Sequence, residues 1–443
     1  MKKRLLVQTQ LSNYDTNGKF ILECDSGYQM VMGRVREMLK HNPELCVDVM
    51  LPNEDQLHTQ AEDVNVDMFN SYGDSQHNTA SVRLRFLHSK IIPNAIATRF
   101  DFDWLAVVTQ LDLGMQKIKH TPKYDAVYVN DPLQLRNLKA AFQVVAGYQP
   151  QFFVHSHFID NPSCPKFPKE TSMWLGQCEA AIRADWNFWQ CESSMNVFFD
   201  EMKEFFTPAV VEYVKAKSSP WDDGYSREEI TLEPNMSAVR FDVEKLAQFR
   251  REGKTIIFVP NRIGGRGVSS DYTNCGKFMF EILPELRKKR QDYVVIAGNP
   301  SQKFKNCDLE RECGPNGYVN LVPDALTRDE FKVVASYADI AVGLYDQDSY
   351  GGTAARECIE LGCLPLWIDN YEYSTIAKAA GYDRFLAKRD FSDLVDAIES
   401  IIALKKEHHT HALELYRELN SVVVTRCSHE STTPSMMKIM NLL

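Results

Sequence analysis

The sequence DIAVGLYDQDSYGGTAARECIELGCLPLW, residues 339–367, decides how this chain folds. An apolar run at 340–342 predicts a buried strand, and a polar loop that contains the pair Gly351-Gly352 follows it. The segment 353–361 places apolar side chains along one side of a helix, which Gly362 ends, and 364–368 predicts a second strand. Strand, glycine turn, helix and strand in this order form one parallel βαβ unit, so the predicted fold class is α/β.

The glycine pair lies where a helix is expected to begin after a strand. Glycine lets the backbone approach a ligand closely, and the N–H groups at a helix N-terminus favour anions. The segment therefore indicates a turn that binds an anion. A crossover without any ligand stays open as the alternative, because a Gly-Gly turn fits both interpretations.

Composition limits the classes of protein to which the chain can belong. With 443 residues, of which 44% are apolar, we expect two domains of roughly 200 residues each. The net charge of −10 disfavours binding to nucleic acid through the whole surface, although a local basic groove remains compatible with it. The eleven cysteines form no CxxC pair and no zinc spacing, which predicts reduced thiols in a cytoplasmic protein. The short apolar N-terminus predicts a strand and not a signal peptide, and no segment is long enough to span a membrane.

The segment SSPWDDGYSREEITLEP, residues 218–234, is rich in turn-forming and charged residues and predicts the linker between the domains. We therefore expect an N-terminal domain at 1–225 and a C-terminal domain at 236–425. The remaining tail, 426–443, is expected to pack back toward the N-terminal domain.

The sequence QFFVHSHFID, residues 151–160, carries the candidate catalytic residues of the first half. Its apolar run ends in His155 and His157, at the carboxyl end of a predicted parallel strand. We expect the two imidazoles to point to opposite faces of that strand, which disfavours a joint metal site. Either one histidine is buried in the core and the other lies in a loop, or one imidazole donates to a substrate hydroxyl or leaving group.

Three predicted strands of the second half, 255–259, 293–297 and 340–342, end in residues that suit a phosphate group. The second strand ends at Gly298, and the third ends at the loop 346–352. The first strand is followed by a loop with two guanidinium groups, which match phosphate oxygens: Arg262, Gly264, Gly265 and Arg266. Parallel neighbours bring their carboxyl ends to one edge of a sheet, so the sequence predicts a nucleotide in the crevice there.

The segment GGTAARECIELGCLPLW resembles the nucleotide-sugar domain of retaining GT-B glycosyltransferases, the superfamily that includes glycogen synthases and mannosyltransferases. The resemblance extends over 254–368. It implies two Rossmann-like, doubly wound domains that face each other across a cleft, with the acceptor side in the N-terminal domain. It places Glu357 on the glutamate that accepts hydrogen bonds from the donor's ribose, and Gly351 and Gly352 on the turn near the pyrophosphate.

The resemblance also implies roles for other positions. Arg262 falls on the arginine that binds the diphosphate, and either Arg266 or Lys277 replaces its lysine partner. The family's first glutamate falls at Ser349, and we assign its role to the neighbouring Asp348, which joins His155 and His157 as a candidate catalytic residue. The predicted donor-binding residues are Arg262, Gly264, Gly265, Arg266, Lys277, Gly298, Ser349, Gly351, Gly352, Thr353 and Glu357.

The activity that the resemblance implies is transfer of a sugar from a nucleotide-sugar, with a UDP-sugar as the expected donor, to an acceptor hydroxyl with retention and without a bound metal. We expect the acceptor to be a hydroxymethylated pyrimidine in phage DNA, in the host cytoplasm. Basic residues that would contact its phosphates are Arg83, Arg85, His88, Lys90, Lys117, Lys119, His120 and Lys123. The alternative for these basic positions is a scattered solvated surface. The alternative acceptors are a polysaccharide or a small molecule. The alternative functions are a nucleotide-sugar epimerase and a binding module without activity.

Overall fold

The structure, a computed structural model, describes residues 2–9, 19–20, 22, 25–52, 57, 83–89, 123–157, 171–222, 224–261, 275–297, 318–319, 321–322, 326–345 and 352–443. The described chain forms two compact units. The first contains the described residues up to Asp222 together with Thr432–Leu443, and the second contains those from residue 224 to Ser431.

The first unit is built on a parallel sheet of seven described strands. The strands are β1 (Arg4–Gln8), β2 (Cys46–Pro52), β3 (Leu84–Ser89), β4 (Ala126–Val129), β5 (Gln151–Ser156), β6 (Trp186–Trp189) and β7 (Ser218–Pro220). Their order in the sheet is β3-β2-β1-β4-β5-β6-β7, so the chain changes direction across the sheet between β1 and β4. Ser218–Pro220, predicted to begin a linker, pairs instead with β6 as an edge strand. Proline is tolerated there because an edge strand has one unpaired side.

Helices cover this sheet. They are α1 (Ser26–His41), α2 (Leu135–Ala141), α3 (Thr171–Arg183), α4 (Glu192–Phe205) and α5 (Pro208–Lys215), with a 3-10 turn at Pro132–Gln134 and a π turn at Phe142–Ala146. The Asp25 side chain begins α1 by accepting a hydrogen bond from the backbone N–H of Tyr28 at 2.9 Å. Apolar residues of both strand faces are buried, which is typical of a sheet covered on two sides.

The second unit contains a parallel sheet of five described strands. These are β8 (Thr255–Val259), β9 (Tyr293–Ala297), β10 (Tyr318–Val319), β11 (Ile340–Gly343) and β12 (Leu364–Trp367), in the order β10-β9-β8-β11-β12. On β8, Ile257 and Val259 pack into one apolar cluster while Ile256 and Phe258 pack into another. Because successive side chains of a strand point to opposite faces, these two clusters lie on the two sides of the sheet.

The helices of the second unit follow its strands. They are α6 (Arg227–Thr231), α7 (Glu244–Arg251), α8 (Cys275–Lys277), α9 (Leu283–Lys289), α10 (Arg328–Tyr337), α11 (Thr353–Glu360), α12 (Tyr371–Ala379), α13 (Leu394–Glu407) and α14 (His409–Cys427), with a π turn at Phe278–Ile282 and 3-10 turns at Met236–Ala238 and Asp383–Phe385. Helix α15 (His429–Ile439) continues into the first unit, where Met436, Met437, Met440 and Leu442 are buried beside α1 and β1.

The predicted βαβ unit is confirmed as β11, α11 and β12. The two strands pair in parallel, with Ile340 opposite Leu364. Gly343 is required at the end of β11, because a Cβ there would lie 2.9 Å from the Cβ of Ala355 on α11. Gly362 ends α11 with a φ of +105°, a backbone conformation that favours glycine.

Candidate functional site

The sheet of the second unit changes direction between β8 and β11. The three strands predicted to end at one edge are neighbours in the order β9-β8-β11. At that edge, the Asn261 side-chain amide donates to the Val342 carbonyl at 3.2 Å, and the Tyr345 hydroxyl donates to Asn261 Oδ1 at 3.0 Å. Ligands of doubly wound sheets bind where the strand order reverses, so the ends of β8 and β11 are the expected position of a nucleotide.

Gly352 precedes α11 at this edge and is closely packed. A Cβ at Gly352 would lie 2.2 Å from Cε2 of Tyr345, and its backbone N–H donates to the Tyr373 hydroxyl at 2.9 Å. Tyr373 in turn stacks on Trp367 of β12, with ring centres 4.5 Å apart and ring planes 7° from parallel. These contacts fix the position at which α11 begins, next to the end of β11.

Glu357 lies on α11 and is held by an arginine of α10. Arg328 Nη1 donates to Glu357 Oε2 at 2.9 Å and Nη2 donates to Oε1 at 2.7 Å, while Nε donates to Glu229 Oε1 at 2.7 Å. Burial alone would lower the pKa of Arg328, but the two carboxylates outweigh burial and raise it above its usual value. A carboxylate offers about four lone-pair positions, so Glu357 keeps acceptor capacity for hydroxyl groups while Arg328 fixes its orientation.

Two further predicted residues are described beside these. Thr353 is the first residue of α11 and is half-buried. The Lys277 ammonium lies 4.4 Å from the centre of the Phe391 ring and forms no ion pair with any residue that the structure describes. The other predicted donor-binding and catalytic residues of the second half lie outside the described residues: Arg262, Gly264, Gly265, Arg266, Gly298, Asp348, Ser349 and Gly351.

The first unit brings polar side chains to its own switch point between β1 and β4. The Gln8 side-chain carbonyl accepts hydrogen bonds from the backbone N–H groups of Asn130, at 3.1 Å, and Asp131, at 3.0 Å. His157 Nε2 contacts the side-chain oxygen of Asn130, which is fully buried. The carboxyl ends of β1, β4 and β5 are therefore tied together by side chains.

His155 and His157 lie side by side at the end of β5. Their ring centres are 4.2 Å apart, so the prediction that they point to opposite faces was wrong. Residues two apart in a strand share a face, because the side-chain period of a strand is two residues. His155 is fully buried and His157 is half-buried.

A buried arginine and a tyrosine surround His155. Arg34 Nη1 of α1 lies 2.8 Å from His155 Nδ1 and donates to the Tyr128 hydroxyl at 2.9 Å, and that hydroxyl lies 2.7 Å from the same Nδ1. Sequence reasoning missed Arg34, Tyr128, Gln8 and Arg328. The only sequence signal for them is that Gln8 and Tyr128 lie at or near the ends of strands that were predicted.

Arg83 has a structural contact in place of the predicted phosphate contact. Its guanidinium donates to the backbone carbonyls of Leu39, Asn42 and Leu45, and burial lowers its pKa. These carbonyls lie at and just after the C-terminal end of α1, where helix carbonyls lack partners. Lys123 is exposed, with its ammonium 5.2 Å from the centre of the Tyr148 ring. Of the other basic residues of that predicted face, Arg85 and His88 are described only as backbone positions of β3, and Lys90, Lys117, Lys119 and His120 lie outside the described residues.

The described ranges contain neither a candidate metal-binding group nor a candidate membrane-spanning helix. They contain no group of three or more His, Cys, Asp or Glu side chains placed to hold a metal ion. None of the helices among them combines the length and the apolar character that crossing a membrane requires.

Comparisons with known proteins identify the fold. No family model matches the chain, and no curated protein matches its sequence. Among solved structures, the chain is similar to sucrose-phosphate synthase from Thermosynechococcus elongatus, with a TM-score of 0.65 and 12% identity over 99% of this chain and 98% of that one. It is also similar to HepE of Anabaena in complex with UDP-glucose, with a TM-score of 0.61 and 10% identity over 99% and 100% of the two chains.

A glycosyltransferase from Rickettsia africae matches in the same way, with a TM-score of 0.61 and 10% identity over 99% of this chain and 98% of that one. Identities this low establish the fold and not the activity. The chain has the GT-B fold with two Rossmann-like domains, which confirms the predicted fold class.

Proposed function

We propose that this protein is a glycosyltransferase that moves a sugar from a nucleotide-sugar, with UDP as the expected nucleotide, to an acceptor hydroxyl with retention. The observation that carries the proposal is Glu357. Its carboxylate lies on α11, beside the switch point of the second sheet, and Arg328 holds it in one orientation. A fixed carboxylate at this position suits recognition of the two hydroxyls of a ribose. The shared fold with proteins solved with UDP or UDP-glucose supports the same assignment.

The donor's diphosphate would lie at the N-terminus of α11. The first N–H groups of a helix attract anions, and a departing diphosphate develops negative charge that these groups and nearby cations stabilise. We assign the cations to Arg262 with either Arg266 or Lys277, and the close backbone approach to Gly264, Gly265, Gly298 and the turn 349–353. Because these cations and N–H groups stabilise the departing diphosphate, its departure requires no metal ion. His155, His157 and Asp348 remain the proposed catalytic residues.

Donor recognition can be tested by calorimetry with the Glu357→Gln variant. We expect wild-type protein to bind UDP more tightly than 2′,3′-dideoxy-UDP, because Glu357 accepts from the ribose hydroxyls. In Glu357→Gln the affinity for UDP should fall by about 10- to 100-fold, since a hydrogen bond to a charged group contributes about 1.5–3 kcal/mol. The affinity for the dideoxy analogue should change little. Equal losses for both ligands would contradict the role assigned to Glu357.

Glu360→Gln is the matched control. Glu360 lies on the same helix and also binds an arginine, since Arg227 Nε donates to its Oε1 at 2.9 Å and the Tyr225 hydroxyl donates to Oε2 at 2.9 Å. Its substitution disturbs a comparable ion pair without removing the proposed ribose contact. We expect Glu360→Gln to preserve the preference for UDP over the dideoxy analogue.

Transfer and its stereochemistry need a turnover assay. We expect release of UDP from a UDP-sugar to depend on an acceptor, and the product to keep the anomeric configuration of the donor, as NMR would show. Interconversion of UDP-sugars without an acceptor would identify an epimerase instead. Binding without turnover under any of these conditions would identify a binding module.

The chemical identity of the acceptor is the most specific part of the proposal. We propose that the acceptor is a hydroxymethylated pyrimidine of DNA, because basic residues at 117–123 could contact its phosphates. The reaction would take place in the cytoplasm, which is the host cytoplasm for a phage-encoded chain. The substitution Lys117→Glu/Lys119→Glu/Lys123→Glu should abolish salt-dependent retention on duplex DNA and transfer to DNA, while hydrolysis of the donor persists. Arg83→Met is the matched control and should lower stability alone, because its guanidinium binds backbone carbonyls. Transfer to an oligosaccharide but not to modified DNA would replace DNA with a carbohydrate acceptor.

A further inference from the structure

Arg34 is the most unusual charged residue of the first unit. It is 0% exposed, and it forms no ion pair with any residue that the structure describes. Its Nε and Nη2 atoms are buried and have no hydrogen-bond partner among the described residues. Burying a charge without a counter-charge is costly, and proteins retain such a residue where it serves a site. Within the same part of the chain, its Nη1 contacts His155 and Tyr128.

The contact between Arg34 and His155 decides where the imidazole carries its proton. A guanidinium N–H can only donate, so His155 Nδ1, 2.8 Å from Nη1, must accept. The Tyr128 hydroxyl, 2.7 Å from the same atom, can donate to it as well, because it accepts from Arg34 in turn. A proton on Nδ1 would place two donors against each other beside a buried cation. The neutral ring with its proton on Nε2 is the form that satisfies this geometry.

We propose that Arg34 is a positioning residue that holds His155 as a neutral imidazole with its proton on Nε2, so that His155 serves as a hydrogen-bond donor and never as a general base. The described groups that contact the ring include Arg34 from α1, Tyr128 from β4 and His157 after β5. Of these, Arg34 is the charged group at all pH values near neutral, and it opposes a second positive charge on the ring.

The protonation state of His155 has a consequence for the reaction, and this consequence rests on the proposed function. Because donors occupy Nδ1, His155 can act in the reaction only by donating a hydrogen bond through Nε2 and not by taking a proton at Nδ1. The base that removes the acceptor's proton must then be a group other than His155. Arg34 contacts His155 and not the reacting atoms, so its effect passes through His155.

The first test needs no substrate. In protein with ¹⁵N-labelled histidine, we expect the His155 signals, assigned with His155→Asn, to show an unprotonated Nδ1 and a protonated Nε2 from pH 5 to 8. In Arg34→Met the Tyr128 hydroxyl can accept as well as donate, so we expect the proton to be shared between Nδ1 and Nε2. Arg34→Lys keeps the charge and a donor and should keep the ring neutral. A wild-type His155 that carries its proton on Nδ1, or that becomes an imidazolium in this range, would overturn the proposal.

The second test asks whether Arg34 acts through His155. We expect Arg34→Met to lower kcat/KM by about 100-fold, the loss that misplaced catalytic groups produce, and Arg34→Lys to restore part of it. In a His155→Asn background, Arg34→Met should cause no further loss. Independent, multiplying losses would show that Arg34 does not act through His155. If no donor is turned over, the proposed function fails, while the NMR result still decides the role of Arg34.

Discussion

Each unit places an arginine near the carboxyl ends of its strands, fully buried in the first unit and half-buried in the second, and the two arginines are used in opposite ways. Arg328 lies between the carboxylates of Glu229 and Glu357, so its charge is more than balanced. Arg34 contacts an imidazole and a phenol, and its charge is unbalanced among the described residues. A balanced arginine fixes the geometry of an acid, whereas an unbalanced one controls the protonation of its neighbour.

The largest effect is expected from Arg328→Ala. The substitution leaves two buried carboxylates without their counter-charge, and removing one partner of a buried ion pair lowers the free energy of unfolding by about 3–5 kcal/mol. Urea unfolding followed by circular dichroism would measure this change. A loss below about 1 kcal/mol would contradict the assigned role of Arg328.

Arg34→Met is the contrasting variant in the first unit. Here the substitution removes a charge that the described structure does not balance, so the free energy of unfolding should stay the same or rise. Glu229→Gln combined with Arg328→Ala should recover part of the loss in the second unit, because one of the two orphaned carboxylates is then neutral. Equal destabilisation by Arg34→Met and Arg328→Ala would remove the distinction between the two arginines.

The next effect concerns the backbone that places Glu357. In Gly352→Ala the new methyl group would lie 2.2 Å from the Tyr345 ring, which must move. We expect a loss of about 2 kcal/mol in the free energy of unfolding, typical of overpacking, and weaker binding of UDP. Tyr345→Leu in the same chain should relieve the clash and restore most of the stability. Normal stability of Gly352→Ala alone would show that the start of α11 can shift freely.

Acidification should act on the second unit through Glu330. Burial alone would raise the pKa of Glu330, but hydrogen bonds from the Arg240 guanidinium and from the backbone N–H groups of Thr327 and Arg240 outweigh it and lower the pKa to about 2. Because the folded pKa lies below the unfolded value, the stabilisation is complete above about pH 4.5 and is lost as the pH falls through about 2.

This contribution is about 1–2 kcal/mol once the partial exposure of Arg240 is considered. Hydrogen exchange of α10 should therefore be slower in wild type than in Glu330→Gln near pH 6. The difference between the two proteins should shrink as the pH approaches 2. A difference that does not depend on pH would show that ionisation of Glu330 contributes nothing. The same acidification removes no carboxylate contact from Arg34, because none is described there.

The smallest effect is expected from Tyr128→Phe. Loss of the hydroxyl removes its contacts with Arg34 and His155 and should lower the free energy of unfolding by about 1 kcal/mol. The protonation of His155 should be unchanged in the NMR spectrum, because Arg34 still donates to Nδ1. A proton that moves to Nδ1 in this variant would transfer the positioning role from Arg34 to Tyr128.

Sequence reasoning succeeded where the signal is local. The unit β11–α11–β12 was predicted because its apolar runs, glycine turn and Gly362 lie within about thirty residues and agree with one another. The position of Glu357 on a helix at the end of a strand followed from the same pattern.

The partners of the site residues could not be predicted, because they come from distant parts of the chain. Arg34 and His155 are 121 positions apart, and Arg328 and Glu357 are 29 apart. A charged residue in a helix normally indicates the solvent face, so neither arginine carries a sequence signal of burial. Arg83 presents the same difficulty, since an arginine that binds the carbonyls at the end of a helix and one that binds phosphate look alike in sequence.

The way in which α15 enters the first unit affects how the protein is made. Asn42 donates to the Leu442 carbonyl, 400 positions further along the chain, and Met436, Met437 and Met440 fill the core beside α1. During synthesis the sheet of the first unit emerges from the ribosome long before the residues that cover it. The nascent chain therefore carries an exposed apolar surface while the whole second unit is translated, which makes chaperone binding in that interval advantageous.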